Sequence, residues 1–223
     1  MSSGKVPDFD KLASVYALVE RLTFGGALMR RRLCFLFEPR LASARRALVL
    51  GDGDGRFTAA LVERHPRLEV TVVDASRGML ARLEARVRRS SPMAKLELHC
   101  VDARVWRPGP VAYDVVAAHF FFDCFSSSDV ETIVAHVAPA LSAEAFWMVS
   151  EFAIPPAGFV TPLAWLLVRT LYFAFHVLTG LEVTCLPNHA KALAEVGFAQ
   201  AEKETGLGGV LRSELWVPIA PPR

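Results

Sequence analysis

The chain has 223 residues, 52% of them hydrophobic and 22% charged, with a formal net charge of +2. This length suits one well-packed domain rather than two, and so small a net charge gives no reason to expect a nucleic-acid partner. The cysteines (Cys34, Cys100, Cys124, Cys185) form no CxxC pair and the histidines no HxxxH or HExxH spacing, which argues against a disulfide frame and a metal site and for buried thiols in a reducing, cytoplasmic setting.

Residues 1–10 are polar and lack the apolar stretch of a signal peptide. Phe9, Leu12, Tyr16, Val19 and Leu22 then recur at helical spacing, Gly25 and Gly26 break the pattern, and a second helix is expected to run to about Glu38 and Pro39. Clusters at Arg30 to Arg32, at Arg45 and Arg46, and from Arg82 to Arg89 read as solvated helix faces, with a phosphate or anionic membrane surface as the alternative. Beyond residue 44 strands and helices alternate. Strands are expected at 47–50, 68–73, 96–101, 113–118 and 145–152, and helices at 57–64, at 79–89 after Ser76, and after the run Ser126, Ser127, Ser128, Asp129. A further helix at 187–196 precedes two strands, 198–204 and 210–217, separated by Gly206, Gly208 and Gly209, which is a hairpin signal. Strands separated by helices imply parallel crossovers. The expected fold is therefore an α/β, Rossmann-like, mostly parallel seven-stranded sheet with an antiparallel last strand, flanked by helices. We divide it into an N-terminal helical cap (1–44), a ligand-binding core (45–152), an apolar insertion (153–186) and a C-terminal helix and hairpin (187–217).

The insertion contains the most apolar stretch, 159–181, long enough to span a bilayer. It carries Pro162, Arg169 and His176, and an arginine at mid-span costs roughly 2.5–3.5 kcal/mol on insertion scales. A lid over an apolar pocket is the preferred reading, and a peripheral membrane contact the alternative.

The strongest motif is the turn after the first strand: Gly51, Asp52, Gly53, Asp54, Gly55. Glycines there let the backbone turn sharply and approach a ligand, at the sheet edge where open α/β folds bind. The spacing is G-x-G-x-G, not the dinucleotide G-x-G-x-x-G, and no Gly-Lys-Ser/Thr follows. Asp52 and Asp54 would repel a pyrophosphate and suit a cation. S-adenosylmethionine carries a sulfonium and an ammonium and no phosphate. One such charge pair at about 4 Å is worth about 4 kcal/mol before desolvation, at an effective dielectric of about 20. The second strand ends at Asp74, placed to accept ribose hydroxyls, followed by Ala75 and Met79. The third ends at Asp102 and Ala103, placed to take an adenine amine with Met79 against the ring. The ends of successive strands thus converge on one crevice.

With GDGDG, Asp74 in VVDASRGML, Asp102 with Ala103, and the fourth-strand motif YDVVAAHFFFDCF, residues 45–217 resemble class I S-adenosylmethionine-dependent methyltransferases. The lead-in, with Phe9, Asp10, Ala13, Tyr16, Phe24 and Gly25, has a looser similarity to quinone-biosynthesis C-methyltransferases. The class usually carries an acid two residues before the first glycine, where this chain has Val49, so Asp52 or Asp54 is expected to assume its role. The resemblance implies that the fourth strand and its loop face the methyl group. His119, also expected to touch the cofactor, and Asp123 are then the candidate bases if the acceptor must lose a proton. Otherwise they are an ordinary hydrogen-bonded histidine and a loop cap. Tyr16, Phe120, Phe121, Phe122, Trp165 and Phe173 are expected to line a pocket for a small, largely apolar acceptor: a lipid, a quinone-like ring or an aromatic natural product. The alternative is a non-catalytic S-adenosylmethionine-binding or partner protein.

Overall fold

The computed structural model describes residues 26–155 and 186–219. Seven strands form one sheet: β1 (Arg46–Leu50), β2 (Glu69–Asp74), β3 (Lys95–Cys100), β4 (Tyr113–His119), β5 (Leu141–Phe152), β6 (Phe198–Gly206) and β7 (Leu211–Pro218). Their spatial order is β3-β2-β1-β4-β5-β7-β6. β1 pairs in parallel with β2 and β4, β3 with β2, and β5 with β4, whereas β7 runs antiparallel to both β5 and β6. The Rossmann-like, mostly parallel sheet read from the sequence is what forms. The hairpin, however, folds back so that β7 lies between β5 and β6.

β1 and β4 are buried along nearly their whole length, as apolar runs covered on both faces must be. On one face, Val49, Ala117 and Met148 pack with Phe57 and Leu61 of α2 (Arg56–Arg64) and Leu80 and Leu83 of α3 (Arg77–Ser90). On the other, Leu48, Val116 and Trp147 pack with Val130 and Ile133 of α4 (Ser127–Val137) and Leu193 of α5 (His189–Glu195).

The helix starts follow local chemistry. Ser76 Oγ accepts the Met79 amide at 3.1 Å at the head of α3, Ser126 and Asp129 form a reciprocal capping box at α4, and Asn188 Oδ1 accepts the Lys191 amide at 3.1 Å at α5.

Two expectations are corrected. The helix entering the domain, α1 (Ala27–Arg32), ends well before Glu38. Beyond it Phe35 and Leu36 are buried in the core, while Phe37 stays exposed beneath the Arg64 guanidinium. Arg32 is also not on a solvated face: it is buried. Cys34, Cys100 and Cys124 carry free thiols. Among the described residues no helix is long and apolar enough to cross a membrane; 159–181, like Tyr16, Trp165 and Phe173, lies outside them.

Candidate active site

The sheet order reverses direction between β1 and β4, and at this switch point the carboxyl ends of neighbouring strands open a crevice. The glycine turn enters it from β1. Gly51, Gly53 and Gly55 all have φ between +60° and +79°, conformations that side chains disfavour. A Cβ on Gly51 would strike the Phe121 ring, and one on Gly55 would strike Leu83 of α3. Gly53 differs: its Cβ would meet only Met79 Sδ, at 4.0 Å. The turn therefore presents bare backbone to open space beside a thioether, a cradle suited to a nucleoside.

The carboxylates of the turn do not face that space as expected. Asp52 is buried and accepts the Thr58 and Phe57 amides at 2.7 and 3.4 Å, closing the first turn of α2. Burial raises its pKa, against the Thr58 hydrogen bonding and the Arg32 charge. Asp54 Oδ2 is bound by Arg56 Nε at 3.1 Å and Arg86 at 2.8 Å. Helix capping and arginine pairing occupy the two acids that the charge argument assigned to a cationic ligand.

Asp74 and Asp102 stand at the ends of β2 and β3 as expected. Asp74 Oδ1 accepts the Ser76 amide at 2.8 Å, and Met79, on the following turn, is buried next to Gly53, whereas Ala75 is exposed. Asp102 is gripped by Arg104 through Nε and a terminal nitrogen; burial raises its pKa, but the Arg104 hydrogen bonds and charge outweigh this and hold it low. Ala103 is buried in the core.

His119, the last residue of β4, lies in register with Ser150 of β5, itself opposite Ser213 of β7. His119 Nδ1 is 2.9 Å from Ser150 Oγ, and both serine hydroxyls donate to the Arg31 carbonyl, at 3.0 and 2.9 Å. The Phe57 ring meets the imidazole edge-on, with centroids 4.4 Å apart. Burial, reinforced by the Arg32 charge, lowers the imidazole pKa from 6.5 to about 3, so the ring is neutral in the fold. Unfolding restores the ordinary pKa. The native state therefore loses stability as pH falls from 6.5 towards 3, by up to about 1.4 kcal/mol per pH unit. Urea unfolding of the wild type and of His119→Asn across this window is expected to show the shallower acid loss in the variant; equal slopes would mean that the ring titrates as in water.

After His119 the chain turns abruptly. Phe120 has φ +54°, a strained value for a bulky residue, held by its amide donating to Ser150 O at 2.6 Å. Its ring contacts Phe152 and lies under the Arg32 guanidinium, 5.3 Å from the ring centroid. Phe121 covers Gly51 and packs on Phe125. Phe122 corrects a second expectation. It is fully buried, stacked on His189 and near Trp147, and cannot line a pocket. Behind it His189 is anchored by Glu214 at 2.7 Å, which also accepts from the Trp216 indole.

Asp123 follows, buried, with Cys124 Sγ donating to it at 3.6 Å. Sequence reasoning missed its neighbour Glu151, which is 2% exposed and so has almost no water to replace a missing partner. Glu151 Oε1 accepts the Phe121 and Phe122 amides at 3.2 and 2.8 Å, which fixes the loop that carries Asp123, while Oε2 has no partner among the described residues. A lone acid inside the apolar strand run 145–152 was the available signal. Burial, then the Asp123 charge, raises Glu151 well above the usual carboxyl range. Burial likewise raises Asp123 to about 6, against the Cys124 hydrogen bond and the Arg32 charge. Arg32, the other residue missed, acts electrostatically on Asp52, His119 and Asp123, and Asp74 and Glu151 both act on the Cys124 thiol. Residues from β2, β4, β5 and α1 thus act on one another's charge at this edge of the sheet.

The switch-point order, the glycine turn and the acid closing β2 are those of a Rossmann-like fold with a ligand site at the carboxyl edge of its sheet. Residues 47–144 match the family described as "Methyltransferase domain". A 74-residue stretch is 39% identical to the ubiquinone/menaquinone biosynthesis C-methyltransferase UbiE of Syntrophotalea carbinolica, covering 33% of this chain and 31% of that protein. Among solved structures the fold is similar to the mitomycin 7-O-methyltransferase MmcR (TM-score 0.68, 19% identity, 97% of this chain and 61% of that one). It is also similar to the N-methyltransferase NodS of Bradyrhizobium japonicum WM9 in complex with S-adenosyl-L-homocysteine (TM-score 0.61, 15% identity, 86% and 87%). The chain thus spans about three fifths of the first of these structures, and its match covers about a third of the curated relative.

Proposed function

We propose that this chain transfers the methyl group of S-adenosylmethionine to a small, largely apolar acceptor, a lipid, a quinone-like ring or an aromatic natural product. The observation that carries this reading is the glycine turn at the β1–β4 switch point, whose Gly53 faces open space beside Met79. In this reading Asp74 holds the ribose, Met79 flanks the adenine, and the Gly53 backbone lies along the ligand. Asp102 reaches the adenine amine with the lone pairs that Arg104 leaves. When bound, S-adenosylmethionine supplies an electrophilic methyl group. Asp123 accepts the acceptor's proton, and Glu151 holds the loop that carries it. Phe120 and Phe121 supply apolar surface, and the chain acts as a single domain in which 1–44 and the lid 153–186 complete the acceptor pocket and exclude water. The names of UbiE and MmcR, enzymes of quinone biosynthesis and of mitomycin methylation, support an apolar or aromatic acceptor. The insertion's apolar character also supports contact with a membrane surface, from which such an acceptor would be drawn.

Calorimetry tests the cofactor side. S-adenosylmethionine and S-adenosylhomocysteine are expected to bind in the micromolar range and NAD not at all; tighter binding of NAD would sink the reading. Asp74→Ala is expected to leave the fold intact, since the side chain packs little, and to weaken S-adenosylhomocysteine binding by roughly 1.5–3 kcal/mol, the scale of hydrogen bonds that involve a charged group. An unchanged dissociation constant in the folded variant would remove Asp74 from the site. Turnover against a panel of lipophilic phenols separates an enzyme from a non-catalytic binder.

A further inference from the structure

We infer that Nε2 of His119 is the acceptor for the α-ammonium at the amino-acid end of S-adenosylmethionine, a role that rests on the cofactor reading above. The strand order sets the direction. Asp74 closes β2, Asp102 stands two residues beyond the end of β3, the glycine turn follows β1, and β4 is next across the edge. A ligand with its nucleoside at Asp74 and its middle on Gly53 therefore brings its far end to β4, where His119 is the terminal residue.

The surroundings of His119 specify which atom acts. Val49 pairs with Ala117, and His119 continues the same face of β4, where its neighbours Phe57 and Met148 are apolar. Its Nδ1 is engaged by Ser150, whereas Nε2 is buried and has no hydrogen-bond partner among the described residues. The tautomer follows from the serines. The one Ser150 hydroxyl proton is directed to the Arg31 carbonyl or to Ser213 Oγ, so Ser150 Oγ accepts from Nδ1–H, and Nε2 carries a lone pair. The Arg32 charge disfavours a second proton on the ring, so the imidazole stays neutral and one nitrogen keeps its lone pair. Leaving such a nitrogen unpaired in a buried site is unfavourable unless a donor arrives with the ligand. An ammonium is that donor. The carboxylate on the same carbon offsets the repulsion between Arg32 and an isolated ammonium. Nε2 is buried in this conformation, so entry of the ligand requires the side chains around it to shift.

The test uses two ligands that differ only at this end. S-adenosylhomocysteine has the amino-acid group, and 5′-methylthioadenosine keeps the nucleoside and thioether without it. Asn in place of His119 retains a donor where Nδ1–H stands and removes the atom at Nε2. In calorimetry, His119→Asn is expected to lose roughly ten- to a hundred-fold in S-adenosylhomocysteine affinity while binding 5′-methylthioadenosine as the wild type does. His119→Gln, which restores an acceptor near Nε2, is expected to recover part of the loss. Unchanged S-adenosylhomocysteine affinity in His119→Asn, or equal losses for both ligands, would overturn the assignment and leave the histidine an anchor for Ser150. If the wild type bound neither ligand, the cofactor reading itself would fail.

Discussion

Gly55→Ala is expected to lose about 2–5 kcal/mol of stability, combining the left-handed backbone penalty with overpacking. That is a large part of the 5–15 kcal/mol on which a domain of this size typically rests. The cause is specific. Gly55 has φ +79°, and a Cβ there would stand 2.7 Å from the Cα of Leu83 and 2.6 Å from its Cγ. Side-chain rotation cannot relieve a collision with backbone, so α2 and α3 would have to separate around a leucine that is wholly buried. Gly53→Ala makes the informative contrast. It also carries a positive φ, at about 1–2 kcal/mol, but its Cβ enters open space, with Met79 Sδ at 4.0 Å as the nearest group. This variant is expected to fold and to bind S-adenosylhomocysteine poorly, because the new methyl group occupies the cradle. Urea midpoints and calorimetry separate the two. A wild-type midpoint for Gly55→Ala would refute the packing account, and wild-type affinity for Gly53→Ala would mean that the glycine serves only the turn.

The second large effect concerns Asp123. Its carboxyl is raised to about 6, chiefly by burial, so it is protonated below that value and a competent base above it. For an acceptor that loses a proton as it is methylated, kcat is expected to rise with pH through about 6 and then level. Asp123→Asn should lower kcat by roughly 10²–10⁴-fold, the usual contribution of a positioned base, and remove that limb of the profile. Cofactor affinity should remain, since Asp74 and the glycine turn are untouched. His119 does not take over: its pKa of about 3 makes it too weak a base, although its lone pair can still accept a hydrogen bond. A turnover rate and pH profile unaltered in Asp123→Asn would show that the residue only stabilises its loop. Glu151→Gln is a related case. The amide oxygen can still accept from Phe121 and Phe122, so the loop should hold, and burial, the main cause of the raised Asp123, is unchanged. The pH limb should then stay near 6.

Much of the fold was legible because its signals are local. An apolar run that ends in glycines, such as 47–51, can be little other than a buried strand entering a tight turn. Ser76, Ser126 and Asn188 mark helix starts because a side-chain oxygen needs only the amides two or three residues ahead. Asp74 and Asp102 could be placed at the crevice because each stands at or just beyond the end of a parallel strand, and such strands all end at the same edge. The hairpin could be read from its glycines, but the insertion of β7 between β5 and β6 could not, since pairing partners are chosen by the whole sheet.

The chemistry of the crevice was less legible because it depends on where side chains point. At the end of β4, Phe120 takes a positive φ, which breaks the strand's alternation; after it, no pattern in the residues tells that Phe121 covers Gly51 while Phe122 turns into the core. Asp52 and Asp54 are acids in a glycine turn at the sheet edge, yet three-dimensional neighbours decide their use: the amides opening α2 take one, and Arg86, more than thirty residues away, takes the other. Arg32 belongs to a run of arginines that sequence assigns to solvent, and only the packing of α1 against the sheet buries it beside Phe120. By itself the sequence determined most of the strands and the glycine turn, because backbone conformation answers to nearby residues. The tertiary structure alone decided which polar atoms are left without a partner among the described residues, Nε2 of His119 and Oε2 of Glu151 included, because satisfaction of a buried group is counted over every element packed around it.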